Sequence, residues 1–238
     1  MDDIDGDKGT MSSMSLMPAG PREWIVDDLD GLPDDGLQYE LLDGLLLVTP
    51  APAMLHQHVA KRLYDALNAA CGPELLVYFA PLDWRPDART SLQPDLLVIR
   101  AGDYDRRRLT DHLELVVEIL SPSTRRKDTV LKRSKYQDCR LPNYWLVDPQ
   151  APSIEALALV DGRYRSIGRA TGAERVDLVA PFPVTLVPAD LTADPVLADR
   201  QAARQASRQV SGQAVASPGA RARRPPAPGP AGGRRRQP

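Results

Sequence analysis

The sequence predicts a mixed α/β fold, with a central mixed β-sheet flanked by helices and peripheral antiparallel strands added to it. Three observations carry that reading. Asp43-Gly44 separates two apolar-rich segments, 39–42 and 45–48, which is the pattern of a hairpin with a two-residue turn. Residues 56–70 follow helical spacing, with Val59, Leu63, Ala66, Leu67 and Ala70 on one face. Apolar runs of strand length then follow at 75–79, 96–99 and 115–120. A hairpin, a helix, a sheet, a second helix and more strands make a layered α/β sandwich rather than the strict alternation of a doubly wound fold.

The remaining elements can be read in order. Residues 24–29 have the pattern of a short amphipathic helix closed by Gly31 and Pro33. Pro50-Ala51-Pro52 breaks the chain between the hairpin and the first long helix. The stretch 126–138 is polar and lysine-rich without Gly or Pro, so it predicts a helix capped near Ser123 or Thr124. Tyr144-Trp145-Leu146-Val147 predicts a strand ended by Asp148-Pro149. Segments 154–159, 164–167 and 184–187 predict a peripheral antiparallel meander.

A length of 238 residues suits one domain with appendages, and a hydrophobic content of 42% is enough for a packed core. The expected boundaries are a tail over 1–20, a domain over 21–192 and a Pro/Ala/Arg-rich basic tail over 193–238. Both tails are expected to be disordered, since their composition leaves little to bury. The net charge of −2 conceals a strong polarity. From Arg200 onward there are nine arginines and no acid, so the preceding part carries −11. Those arginines can hold phosphates through counterion release, but charge alone confers no specificity, and a plain unstructured extension fits equally well. The two cysteines, Cys71 and Cys139, make no CxxC pair, which argues against a zinc site or disulfide framework and for a reducing cytoplasm. No apolar run approaches bilayer length, and the acidic start is unlike a secretory signal.

Two carboxylates stand out against this background. Asp95 follows Pro94 and opens the apolar run 96–99, while Glu118 lies inside Leu115-Val116-Val117-Glu118-Ile119-Leu120. An ionised carboxylate in a buried strand is costly unless a cation or proton compensates it. Two on neighbouring strands would suit a hard cation such as magnesium, and metal-assisted phosphodiester hydrolysis is the first chemistry they suggest. The plainer reading makes each a strand-end acid paired with an arginine. Two other Pro-Asp pairs read as turns: Pro33-Asp34 sits in a turn cluster, and Pro86-Asp87 precedes a stretch that does not read as a buried strand.

Five blocks in register carry a family resemblance: Tyr39-Glu40-Leu41-Leu42-Asp43-Gly44; Pro50-Ala51-Pro52 before His56; Pro94-Asp95; Val117-Glu118-Ile119-Leu120-Ser121-Pro122-Ser123-Thr124; and Asn143-Tyr144-Trp145-Leu146-Val147-Asp148-Pro149. Together they resemble the Uma-two family of endonucleases in the PD-(D/E)XK nuclease superfamily. The resemblance implies a restriction-endonuclease-like core and a metal-dependent endonuclease acting on DNA, with magnesium or manganese as cofactor; it leaves a homodimer open. It also implies that Asp95 and Glu118 are catalytic metal ligands and that the Ile119 carbonyl completes the protein's share of the coordination. The chain departs from the superfamily pattern at Leu120, where the catalytic lysine would normally stand. Lys132 on the following helix is the best-matching substitute, with Lys127 and Lys135 as rivals. Asp128 and Lys132 also have the spacing of an ordinary helix ion pair. Glu40 is a further candidate, by analogy with early acids that hold metal-bound water, though a solvent-facing strand residue is an equal reading. His56 is expected at the rim of the site and His58 at the surface, since two residues apart on a helix they point in different directions. Ser121 and Ser123 read as turn and cap residues, and Tyr144 or Trp145 as core. The missing lysine at position 120 keeps alive a non-catalytic DNA-binding or assembly protein with the same fold; an RNA or branched-DNA nuclease would differ only in substrate.

Overall fold

The computed structural model describes residues 23–107, 109 and 112–194. The chain divides into two units, residues 1–192 and 193–238. The expected tail over 1–20, and that over 193–238 apart from Ala193 and Asp194, lie outside the described residues. The segment read as a short amphipathic helix forms a 3-10 turn, Val26–Gly31.

The predicted hairpin is strand β1, Gln38–Leu42, paired antiparallel with β2, Leu45–Thr49. Its turn residues Asp43 and Gly44 have φ of 50° and 87°, the two positive values that a tight hairpin turn needs. Helix α1, Met54–Ala70, buries Val59, Leu63 and Leu67 along one stripe. Each such burial contributes about 2 kcal/mol to holding the helix on the sheet.

Strands β3, Leu75–Phe79, and β6, Leu96–Arg100, match the apolar runs, as does β7, Leu115–Ile119. Between them lies a hairpin that the sequence reading missed: β4, Trp84–Asp87, and β5, Thr90–Leu92. The stretch after Pro86-Asp87 is therefore a buried strand after all, with Thr90, Ser91 and Leu92 fully enclosed. Pro86 is tolerated because β4 is the edge of a small sheet ordered β2-β1-β5-β4. Asp87 keeps a turn role, its carboxylate accepting from the Arg89 N–H at 2.8 Å.

After β7 the chain enters a helix that is π-helical over Lys127–Lys132 before it continues as α2, Arg133–Asp138. The helix begins at Arg125, directly after Thr124, so the cap falls where expected and extends back to Ser121. Ser121 Oγ accepts from the Thr124 N–H and Thr124 Oγ1 from the Ser121 N–H, both at 3.2 Å. Strand β8, Asn143–Asp148, then pairs parallel with β7. Strands β9, Ser153–Val160, and β10, Arg163–Thr171, continue the central sheet beyond β8, giving the order β10-β9-β8-β7-β6-β3. Strands β11, Val176–Leu178, and β12, Val184–Leu186, form a separate ribbon, followed by α3, Pro188–Thr192. The predicted meander is thus divided: a tight connection lets β9 pair directly with β8, while among the described strands β12 pairs with β11 alone.

Alternation in β7 explains the two cores. Leu115, Val117 and Ile119 point to the face covered by α1, where Leu63, Leu96, Trp145 and Val184 also pack. Val116 and Leu120 point to the opposite face, beneath Leu42, Trp84, Leu92 and Tyr136. Glu118 has the parity of the second face, so it is aimed under the small sheet and the π-helical segment.

Candidate active site

The antiparallel register Leu96↔Val117 and Leu97↔Val116, continued by one residue, sets Asp95 opposite Glu118. Asp95 lies just before β6, and its side chain is 19% exposed. Glu118 is only 3% exposed. Glu40 approaches from β1 and Lys132 from the end of the π-helical segment, both buried. The solvent-facing reading of Glu40 is therefore corrected. Alternation in β1 shows that Glu40 opposes its neighbours, but not that the helix covers its face.

Lys132 Nζ lies 2.8 Å from Glu40 Oε1, 3.1 Å from Glu118 Oε1 and 3.9 Å from Asp128 Oδ1. The helix ion pair with Asp128 is the longest of the three. Tyr136 donates its hydroxyl to Glu118 Oε1 at 3.0 Å. Glu40 Oε1 also accepts the Gln93 N–H at 2.8 Å. Asp95 Oδ2 accepts the Ile119 N–H at 2.7 Å and lies 3.2 Å from His56 Nε2. Asp95, Glu118, Ile119, Lys132, Glu40 and His56 all line one cavity of about 260 Å³. The rival lysines are engaged elsewhere: Lys127 donates to Thr49 Oγ1, and Lys135 to Asp43 and Asp87.

Burial sets the electrostatics. It pushes the Glu118 carboxyl well above its usual pKa; Lys132 opposes that rise, while Asp128, Asp95 and Glu40 add to it. The same burial raises Asp128 to about 6 against the pull of Lys132. Burial alone would lower Lys132, but Glu118, Glu40 and Asp128 outweigh it and hold the ammonium firmly charged. Burial likewise opposes the charging of His56, yet Asp95 and the Ile119 backbone raise its pKa above the ordinary value.

Asp128 and Tyr136 escaped the sequence reading as members of the site. With Lys132 they form one row at four-residue spacing, and all three are buried. That row was the available signal, since an exposed ion pair has no reason to continue into a tyrosine. Gln93, which fixes Glu40 through its main chain, gave no signal. Tyr144 packs in the core as expected and donates its hydroxyl to the Asp128 carbonyl at 2.9 Å.

Among the described residues, no three His, Cys, Asp or Glu side chains form a closed metal cage. The donor set nevertheless fits an open site for a hard cation. Among the described residues, the hydrogen bonds and ion pairs of Asp95 fall on Oδ2, and those of Glu118 and Glu40 fall on Oε1. One oxygen of each carboxylate is thus anchored by protein donors, and among the described residues the other carries none. An ion that keeps several of its waters needs only a few such protein ligands.

No curated protein sequence matches the chain. A solved structure of similar fold belongs to a protein from Anabaena variabilis described as a "putative nuclease belonging to DUF820". The TM-score is 0.53 at 19% identity, covering 71% of this chain and 97% of that one. The sequence profile of the Uma2 family, described as "Putative restriction endonuclease", matches residues 26–193, from the first 3-10 turn to just past α3. Over that span, which is most of its length, the chain belongs to the Uma2 family, with a restriction-endonuclease-like fold.

Proposed function

We propose that this chain is a divalent-metal-dependent endonuclease that hydrolyses DNA phosphodiester bonds. The observation that carries the proposal is the set of carboxylates on one cavity, each tethered through one oxygen, with a buried lysine between them. Asp95 and Glu118, with the Ile119 carbonyl, would hold magnesium or manganese. When bound, such an ion supplies a Lewis acid and lowers the pKa of water.

The chain's own groups then have distinct tasks. His56 and the Ile119 N–H hold Asp95 in orientation, and Tyr136 does the same for Glu118. Lys132 stabilises negative charge developing on the phosphoryl group, from the helix rather than from position 120. Glu40 pairs with Lys132 and orients it. In-line attack of water on phosphorus breaks the bond to the 3′ oxygen, leaving a 5′-phosphate and a 3′-hydroxyl. The catalytic domain spans 21–192 in this reading. A cytoplasmic location is part of the same reading, supported by the free thiols of Cys71 and Cys139.

The experiment is cleavage of supercoiled, linear and single-stranded DNA with magnesium or manganese, then with chelator. Activity lost with chelator and in Asp95→Ala supports the reading. Equal cleavage by wild type and Asp95→Ala, after removal of contaminants, rejects it.

A further inference from the structure

A second cavity of about 580 Å³ adjoins the carboxylate site. Gln93 lines both, and Ala80 of the first is followed directly by Pro81 of the second. Gln93 is thus common to both linings. Its N–H holds Glu40 at 2.8 Å, and its side-chain amide donates to Asp83 Oδ1 at 2.9 Å. Asp83 Oδ2 in turn accepts from one terminal nitrogen of Arg85 at 2.7 Å. Among the described residues the remaining N–H groups of that exposed guanidinium have no acceptor, so they are available to another. Arg107 lines the same cavity, is exposed, and lies within an arginine run at 106–108.

Charge makes this groove meaningful. The chain before Arg200 carries −11, and four carboxylates crowd the neighbouring cavity. A polyanion can approach such a site only where cations flank it. Guanidinium groups suit phosphate oxygens because their planar fork offers several donors at fixed angles. Leu82 and Leu109, partly buried on the core, add apolar surface to the same lining.

We propose that this groove holds the phosphodiester backbone of the nucleic acid strand on one side of the scissile phosphate, with Arg85 and Arg107 each binding a phosphate. The proposal rests on the nuclease reading and extends it to the path of the substrate. Gln93 and Asp83 then link the two cavities, fixing Arg85 relative to Glu40.

The test uses the full-length protein and a fluorescent duplex oligonucleotide in calcium, with anisotropy followed over about 50 to 200 mM salt. Arg85→Ala with Arg107→Ala should weaken binding and reduce the salt slope by about 2, one unit for each phosphate that is no longer neutralised. Arg169→Ala is the control, since Arg169 on β10 at the far edge of the sheet pairs with Glu155 and should leave the slope unchanged. An unchanged affinity and slope in the double variant, with wild-type binding intact, overturns the groove and leaves the nuclease reading standing. Absence of both binding and cleavage in the wild type overturns both.

Discussion

Lys132 and Tyr136, one helical turn apart, donate to the same oxygen of Glu118, at 3.1 and 3.0 Å. The carboxylate is thereby held through Oε1, and among the described residues no protein donor falls on its second oxygen. Exchanging any member of this trio therefore has a separable effect.

Glu118→Gln and Asp95→Asn should each lower metal-dependent cleavage by more than the roughly 10–100-fold typical of an outer-shell change. Both should remain folded. Glu118→Gln should raise the melting temperature in chelator, because it removes a buried carboxylate that burial and neighbouring acids disfavour as an anion. Circular dichroism melts alongside cleavage rates check this; a folded, fully active Glu118→Gln protein would contradict the ligand role.

Lys132→Met should cut the cleavage rate about 10²–10³-fold. Manganese affinity, measured by calorimetry, should not fall, since the ammonium no longer shares Glu118. The apo variant should lose roughly 3–5 kcal/mol of stability, as it leaves buried carboxylates without their counter-charge. Lys127→Met and Lys135→Met should affect cleavage much less.

Tyr136→Phe keeps the ring packed against Trp84 and Tyr144, with centroids at 5.3 and 5.1 Å, and removes only the hydroxyl. Manganese affinity should weaken about 10–100-fold, with a stability loss of about 1 kcal/mol. Loss of affinity without loss of fold is the signature of a positioning residue.

The pH dependence of the metal-free protein should reveal Asp128. Burial raises its pKa from 3.8 to about 6. Between those values the folded state binds the proton and the unfolded state does not, so stability rises as pH falls through this window. Above about 6 the buried charge costs roughly 3 kcal/mol. Asp128→Asn should flatten the difference between urea midpoints at pH 5 and pH 8, and should be more stable than wild type at pH 8. A parallel pH profile for both proteins would argue against a raised pKa.

The elements visible in the sequence were those whose pattern is local. The Asp43-Gly44 turn, the Val59-Leu63-Leu67 stripe and the runs around Asp95 and Glu118 each carry their signal within a few residues. Strand β5 did not, because Thr90 and Ser91 are buried by pairing with β1 rather than by apolar character. Glu40 was ambiguous for a related reason, since alternation distinguishes two faces without saying which one a distant helix covers. The π-helical segment was invisible too. It coincides with the Asp128 carbonyl, which receives the hydroxyl of Tyr144 from the next strand, and no helix propensity encodes that.

Among the described strands, β7 and β8 are the one parallel pair in the central sheet, so the segment between them must cross from one end of the sheet to the other. Lys132 rides on that crossover, and its depth in the cavity is set by the number of residues after Glu118. A single residue inserted between 121 and 131 would turn the lysine by about 100° around the helix and carry it away from the carboxylates. The same insertion in the β9–β10 turn at Asp161 and Gly162 would only lengthen a surface loop. Tolerance to length change should therefore divide sharply between two connections of one sheet, and a library of single-residue insertions would map the crossover as the segment whose length the site depends on.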